Sequence, residues 1–235
     1  MILVPLLPVF SRLGDPDDWP ELKVRIRQGI LFTAISMLPL SALMITLAYP
    51  IVRVVYERYA FDKNASQLVA SVLIASSLGM FFYLGRDVLV RVFYALGDGD
   101  TPFRVTVVNI FLNALLDYIL VQSLGAPGLV LATVMVNLFS MVALLWLLNR
   151  KLNGLPWREF SWPILALTGI SFLTGLASWG VSLVCENTWG TRTLPLQLLQ
   201  LTLSAIAGLG VFALLATRLN LPEVDMFVSR IRKRF

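Results

Sequence analysis

The sequence predicts an all-α fold: a polytopic bundle of six complete transmembrane helices, preceded by an N-terminal half-span. Of the 235 residues, 57% are hydrophobic and only 14% are charged, well below the roughly 25% charge of soluble domains. Six stretches are long and apolar enough to cross a bilayer, which takes about 20 such residues per helix. The connections between them alternate in charge, as expected for a multi-pass membrane protein.

The predicted spans follow one another through short connections. Residues 13–28 are interpreted as a cytoplasmic linker, residues 29–217 as a six-span lobe, and residues 218–235 as a basic cytoplasmic tail. The second span, with its helical pattern, is about 46 Å long at 1.5 Å per residue, more than the hydrocarbon core of about 30 Å. It therefore either tilts and projects into the cytoplasm or lines a cavity with its charges. The approximate spans are 29–52, 66–96, 103–124, 128–148, 162–184 and 195–217.

Basic residues predict the orientation. Of the 19 Lys and Arg residues, 15 fall on one side of the membrane when Arg86 and Arg91 are counted there. The positive-inside rule then places both ends of the chain in the cytoplasm, with the spans in the plasma (inner) membrane. The four basic residues on the other side are Arg53, Arg58, Lys63 and Arg192.

Residues 1–12 form the half-span. The segment from Met1 to Phe10 is apolar but only ten residues long, about 15 Å as a helix. We expect it to be the end of a truncated transmembrane helix, so that the chain is the C-terminal portion of a longer protein. The alternative is a short interfacial anchor.

A polar stripe on the third span carries the main functional signal. Asn109, Asn113 and Asp117 lie four residues apart and therefore share one helix face. A carboxylate at the bilayer centre costs about 2.5–3.5 kcal/mol, so such a residue usually faces protein or water. The stripe predicts a transport pathway, which Asn137 in the fourth span could also face. The alternatives are polar contacts between helices for the asparagines, and snorkelling to the outer interface for Asp117.

Two further features lie before this stripe. Arg86 and Arg91 sit among apolar residues near Asp87 and could contact phosphate, because guanidinium matches phosphate oxygens. Anchoring at the inner leaflet by snorkelling is the alternative. The following segment predicts a tight turn, with Thr101 capping the next helix and proline at its first position. The turn residues are Gly97, Asp98, Thr101 and Pro102.

The composition gives little support for a catalytic site or a metal site. The chain has one cysteine, Cys185, and no histidine, so Ser-His and Cys-His arrangements are impossible within it. We expect no enzyme activity, no cofactor and no metal site. The net charge of +5 does not indicate a nucleic-acid partner, because in membrane proteins the position of the basic residues matters more than their sum.

Several separated segments resemble the MurJ (MviN) lipid II flippase family of the multidrug/oligosaccharidyl-lipid/polysaccharide exporter superfamily. Their order and spacing, more than any single motif, make the resemblance specific. The segments are Leu7-Pro8-Val9-Phe10-Ser11-Arg12, Phe93-Tyr94-Ala95-Leu96-Gly97-Asp98 with Thr101-Pro102, the pair Asn109 and Asn113, and Gly128-Leu129-Val130-Leu131-Ala132-Thr133.

The resemblance implies fourteen spans in two lobes around a central cavity, of which this chain would hold the end of the eighth and the last six. It implies a flippase for an undecaprenyl-pyrophosphate-linked cell-wall precursor in contact with membrane lipids, driven by a coupling ion or the membrane potential. The spans at 162–184 and 195–217 would form a groove for the lipid tail, while the family's essential cationic residues would fall outside this chain. The remaining hypotheses are an exporter of other polysaccharide lipids or drugs, and a membrane assembly subunit without transport.

Overall fold

A computed structural model describes residues 18–56, 63–190 and 193–219, except the side chains of Lys63 and Arg158. These residues form helices and no strand. The predicted half-span at residues 1–12 and the tail beyond residue 219 lie outside the described residues. In chain order the helices are α1 (Trp19–Thr46), α2 (Ala48–Tyr56), α3 (Lys63–Leu78), α4 (Met80–Ala95), α5 (Asp100–Leu124), α6 (Ala126–Lys151), α7 (Trp157–Trp189) and α8 (Leu194–Thr217).

Within the described residues, six segments are long and apolar enough to span a membrane, with mean hydropathies from 1.6 to 2.3. Four are the helices α1, α5, α6 and α8, and a fifth is Glu159–Trp189 of α7. The remaining one, Asn64–Ala95, combines α3 and α4 across Gly79. The prediction of an all-α fold with six spans is therefore confirmed, and the chain is a multi-pass membrane protein.

The first helix begins about ten residues earlier than the sequence predicted. Leu22, Ile26 and Ile30 repeat every four residues and are each at most 1% exposed. The polar positions between them include Arg25, which pairs with Glu21 at 3.1 Å. The segment predicted as a linker at 13–28 is thus helical from Trp19 onward. An amphipathic pattern extends the helix beyond the last long apolar stretch.

The described residues fold into two compact units, where the sequence predicted one lobe. The first contains residues 18–34 and 79–164. In it, α6 packs against both α4 and α5, and side chains that are at most 1% exposed fill the space between them. They include Val88, Leu89, Val92 and Phe93 of α4 and Leu144 and Leu148 of α6.

The second unit contains residues 35–56, 63–78, 165–190 and 193–219. Here α2 packs against α3 and α8. Gln200 of α8 donates to the hydroxyl of Ser182 on α7 at 2.8 Å. A Cβ atom at Gly208 would lie 2.7 Å from Cδ2 of Leu43 and 3.2 Å from Cβ of Ser178. Small residues therefore allow close helix packing in this unit.

Candidate functional site

The site begins where α4 and α6 pack closely at Gly85. A Cβ atom added there would lie 2.8 Å from the sulfur of Met141, so a larger residue at this position would require the flexible end of the Met141 side chain to move. Arg86 follows Gly85 on α4, and Ser140 precedes Met141 on α6. The close packing of the two helices brings Arg86 and Ser140 together. Nε of Arg86 donates a hydrogen bond to Oγ of Ser140 at 3.0 Å.

Ser140 also receives a hydrogen bond from the third helix of this unit. Nδ2 of Asn109 on α5 donates to the same oxygen at 3.1 Å. Ser140 is completely buried, and Asn109 is only 8% exposed. One hydroxyl thus joins α4, α5 and α6. We refer to Arg86, Asn109 and Ser140 as the Ser140 node.

The two arginines of α4 differ in their partners. Arg91 is paired with Asp87, with Nη2 at 2.8 Å and Nε at 3.0 Å from the same carboxylate oxygen. Among the described residues, no acidic side chain pairs with Arg86. Within the segments that the structure describes, Arg86 therefore carries a positive charge into a membrane-spanning helix without a compensating carboxylate, which is costly unless a ligand or water compensates it.

The polar stripe of α5 extends away from the node. Each stripe residue has one atom that is shielded from solvent and has no hydrogen-bond partner in the part of the chain that the structure describes. An unsatisfied buried polar atom costs about 1–3 kcal/mol. The stripe, about 12 Å long at 1.5 Å per residue, therefore suits a polar ligand, an ion or water. The three atoms are Oδ1 of Asn109, Nδ2 of Asn113 and Oδ1 of Asp117.

Asn137 is not joined to the stripe by a hydrogen bond in the described segments. Its Nδ2 donates to the backbone carbonyl of Thr133, one turn earlier on the same helix, at 3.0 Å. The side chain is half-buried, one turn away from Ser140. Its place in a pathway thus depends on proximity to the node alone.

The predicted turn between α4 and α5 is present, with Gly97 at φ 71°. Thr101 is not the N-cap as predicted, because α5 begins at Asp100, Gly99 occupies the N-cap position and Thr101 lies inside the first turn. Asp98, just before the N-cap, accepts hydrogen bonds from this turn. Oδ1 of Asp98 accepts from the backbone N–H of Thr101 at 3.0 Å, and Oδ2 accepts from the Thr101 hydroxyl at 2.8 Å. Pro102 fits beside it because the first turn of a helix leaves its backbone N–H groups unpaired.

Asp98 also connects this turn to the end of α6. Nζ of Lys151 lies 2.5 Å from Oδ2 of Asp98. Burial opposes ionisation of Asp98, but the hydrogen bonds from Lys151 and Thr101, together with the charge of Lys151, hold its pKa below the usual aspartate value. The turn is therefore anchored by an ionised carboxylate near neutral pH.

Comparison with known proteins shows which family this chain belongs to. A family model described as lipid II flippase MurJ matches residues 1–200. The chain is 53% identical over 236 residues to a probable lipid II flippase MurJ of Synechocystis sp., covering 100% of this chain and 44% of that protein. The chain belongs to the lipid II flippase MurJ family.

Further members of the MurJ family are more distant. A lipid II flippase MurJ of Thermosipho africanus is 31% identical over 138 residues, covering 59% of this chain and 29% of that protein. A solved structure of lipid II flippase MurJ in an inward closed conformation is similar in fold, with a TM-score of 0.69 and 22% identity. That similarity covers 92% of this chain and 43% of the solved one. The chain thus spans less than half the length of these MurJ relatives.

Sequence reasoning missed two residues of this candidate site. Ser140 left no signal, because a serine in an apolar helix usually bonds a carbonyl of its own helix. Lys151 lies 53 residues from Asp98 along the chain, too far for local patterns to pair them. The predicted pathway residues fall into three groups. Arg86 and Asn109 belong to the node, Asn113 and Asp117 each have one shielded atom without a partner among the described residues, and Arg91 and Asn137 are more peripheral.

Proposed function

We propose that this chain forms part of a flippase that moves a lipid-linked peptidoglycan precursor, lipid II, across the plasma membrane. The names of the relatives describe this activity, and the chain spans 44% of the first of them. The observation in this chain that supports it best is Arg86, a cation in a spanning segment that is held by a buried hydroxyl and has no acidic partner among the described residues.

In this proposal Arg86 binds the diphosphate of the precursor. Its Nε is held by Ser140, which fixes the plane of the guanidinium and leaves its outer N–H groups for phosphate oxygens. The unpaired Oδ1 of Asn109 would accept from a sugar hydroxyl or an amide of the headgroup. Arg91, paired with Asp87, would provide a weaker phosphate contact on the same helix. Asn113 and Asn137 would provide further polar contacts.

Asp117 suits a different part of the mechanism. A carboxylate repels a diphosphate, so we assign it to the coupling ion. Its Oδ1 and the amide nitrogen of Asn113, one turn away, both lack a hydrogen-bond partner among the described residues, and a cation bound there would compensate the charge of the carboxylate. Binding would then link headgroup movement to an ion gradient or to the membrane potential. Replacing Asp117 by Asn should make the flipping rate insensitive to the gradient, measured in vesicles with and without an ionophore.

The apolar parts of the precursor would stay in contact with lipid. Both α7 and α8 expose many large apolar side chains, as expected for helix faces along which a polyprenyl tail could lie. Both ends of the chain would be cytoplasmic, because the connections on that side carry most of the Lys and Arg residues. The exposed residues concerned include Leu165, Phe172 and Trp179 on α7 and Ile206 and Leu214 on α8.

A flipping assay tests the proposal. Proteoliposomes containing the protein with Arg86→Gln should flip lipid II about tenfold or more slowly, because a hydrogen bond to a charged group contributes about 1.5–3 kcal/mol. Arg86→Lys should retain part of the rate, since it keeps the charge and loses the bidentate geometry. The matched control is Arg150→Gln at the end of α6, where Arg150 stacks on Trp146 at 3.9 Å; its rate should stay within about twofold.

Unfolding temperatures measured in detergent separate a loss of function from a loss of fold. If the Arg86→Gln variant is folded and flips lipid II at the wild-type rate, the proposed role of Arg86 in binding the diphosphate is wrong. If cysteines at positions 109, 113 and 117 were also inaccessible to water-soluble reagents, a membrane assembly subunit without transport would explain the chain better. Equal transport of an unrelated polysaccharide lipid would favour a broader exporter.

A further inference from the structure

Two neighbouring cavities lie in the first unit, where α1 begins and where α6 connects to α7. The first, of about 380 Å³, is lined by Lys23 and Arg27 of α1, by Glu159 of α7 and by the loop at 154–156. Its volume falls in the range of small-ligand sites. The residues that line it belong to the first turns of α1, to the first turn of α7 and to the loop before α7.

The second cavity is smaller and apolar. Its volume is about 130 Å³, and its walls include Ile30, Met141, Leu145 and Phe160. Leu155 lines both cavities, so they adjoin. Because Ile30 follows Arg27 by about one helical turn, the charged cavity gives way to an apolar one deeper along α1.

The loop between the cavities is fixed in place. Oδ1 of Asn149 accepts from the backbone N–H of Leu155 at 2.7 Å and from Nε1 of Trp157 at 3.1 Å. Asn153 and Gly154 both adopt positive φ angles, 53° and 107°, which lets the loop turn back toward α1. Leu155 is only 7% exposed. The two cavities are therefore preformed.

The charges of the first cavity favour an anion. Lys23 and Arg27 are four residues apart and share one face of α1. Nε of Arg27 donates to the backbone carbonyl of Glu159 at 3.3 Å, which directs the guanidinium toward the cavity. The carboxylate of Glu159 lies at the exposed edge and offsets one of the two positive charges. Among the described residues, the lining of this cavity carries two cationic side chains and one carboxylate, and an apolar cavity adjoins it.

We propose that these two cavities bind one anionic glycerophospholipid. Its phosphate lies between Lys23 and Arg27, and the first part of one acyl chain lies against Ile30, Met141 and Leu145. Basic pockets at the ends of spanning helices bind anionic headgroups in this way, and the adjoining apolar cavity selects a lipid over a free phosphate. Such a lipid would hold the start of α1 against the loop between α6 and α7.

Binding measurements with charge variants test the headgroup. Retention of phosphatidylglycerol by the full chain, measured by native mass spectrometry, should exceed that of phosphatidylcholine. Lys23→Gln should lower the affinity for phosphatidylglycerol about fivefold, the equivalent of about 1 kcal/mol per basic residue near an anionic surface. Arg25→Gln is the matched control, because Arg25 lies on the same helix, pairs with Glu21 and does not line the cavity; it should change the affinity less than twofold.

Equal losses for the two variants would overturn the proposal, since they would show general surface attraction. Equal retention of phosphatidylcholine would overturn it as well. Unfolding temperatures of both variants should match the wild type, because both side chains lie at the end of α1.

Two further arms test the apolar part and the source of the phosphate. Glycerol 3-phosphate should not displace the lipid, and a diazirine on the acyl chain should label the peptide containing Met141 and Leu145. Displacement by glycerol 3-phosphate, or labelling spread over the exposed face of α5, would overturn the acyl-chain placement. Preferential displacement by undecaprenyl phosphate would show that the site serves the transported lipid and would overturn the assignment to a glycerophospholipid.

Discussion

Both units of this chain bury polar side chains within membrane-spanning helices, but they do so with different chemistry. In the first unit the polar groups are long and include charges, and they meet at the hydroxyl of Ser140. In the second unit they are mainly serine hydroxyls, several of them on α7 and α8. Ser140 and Ser204 are both completely buried, yet only Ser140 has a hydrogen bond from another helix among the described residues.

The difference indicates that polar side chains in a spanning helix can have two different roles. A serine that packs against a small neighbour serves close helix approach, and its hydroxyl adds little. A guanidinium or a carboxylate that lacks a counter-charge costs free energy. We interpret the first as structural and the second as functional, and four experiments test this contrast.

The largest expected effect separates the two buried serines. Ser140→Ala removes the acceptor of Arg86 and Asn109 and leaves two donors unsatisfied, so it should lower the free energy of unfolding by about 2–4 kcal/mol. Ser204→Ala removes a buried hydroxyl that has no hydrogen-bond partner among the described residues, so it should leave the free energy of unfolding unchanged or raise it by up to about 1 kcal/mol. Unfolding of both variants in the same detergent provides the measurement. Similar losses would remove the contrast between the units.

A second experiment tests the packing interpretation of the second unit. Gly208→Val should destabilise the protein by about 1–3 kcal/mol through overpacking, because a Cβ atom there already meets Leu43 and Ser178. The control is Gly210→Val on the same helix, where a Cβ atom has no neighbour within 4 Å among the described residues. The difference between the two melting temperatures gives the packing effect. No difference would show that α8 can shift at little cost.

The third experiment should raise the free energy of unfolding. Asp117→Asn keeps the size of the side chain and removes an unpaired charge, so in the absence of ligand it should raise the free energy of unfolding by about 1 kcal/mol. Asn113→Ala lies on the same face and changes no charge, which makes it the comparison. Thermal unfolding in detergent free of added salts measures both. Destabilisation by Asp117→Asn would indicate that the carboxylate has a structural partner.

The smallest effect is a dependence on pH at the turn. Because its pKa is depressed in the folded state, Asp98 stabilises the fold above its unfolded pKa of about 3.9, and this contribution is lost as the pH falls through the lower folded pKa. The ion pair with Lys151 is partly exposed, so its contribution is about 0.5–1 kcal/mol. Asp98→Asn should reduce the decrease in melting temperature between pH 6 and pH 3. An unchanged pH profile would contradict this role.

The fold was largely predictable from the sequence. Twenty apolar residues in a row leave few alternatives to a spanning helix, so the number of spans was correct. The start of α1 was missed, because the helix continues as an amphipathic segment in which Leu22 and Ile26 face inward between charged residues. Hydropathy averages such a segment to a neutral value, while packing against a neighbour keeps it helical.

The sequence by itself determined the six spanning segments of the described residues and that Asn109, Asn113 and Asp117 share one helix face, because hydrophobicity and helical period are local properties. Only the tertiary structure decided that Ser140 joins Arg86 to Asn109, since that contact depends on the close approach of α4 and α6 at Gly85. It also decided that Arg91 is paired with Asp87 and that no described carboxylate pairs with Arg86. Partners on other helices depend on packing distance, which the order of residues along one helix does not contain.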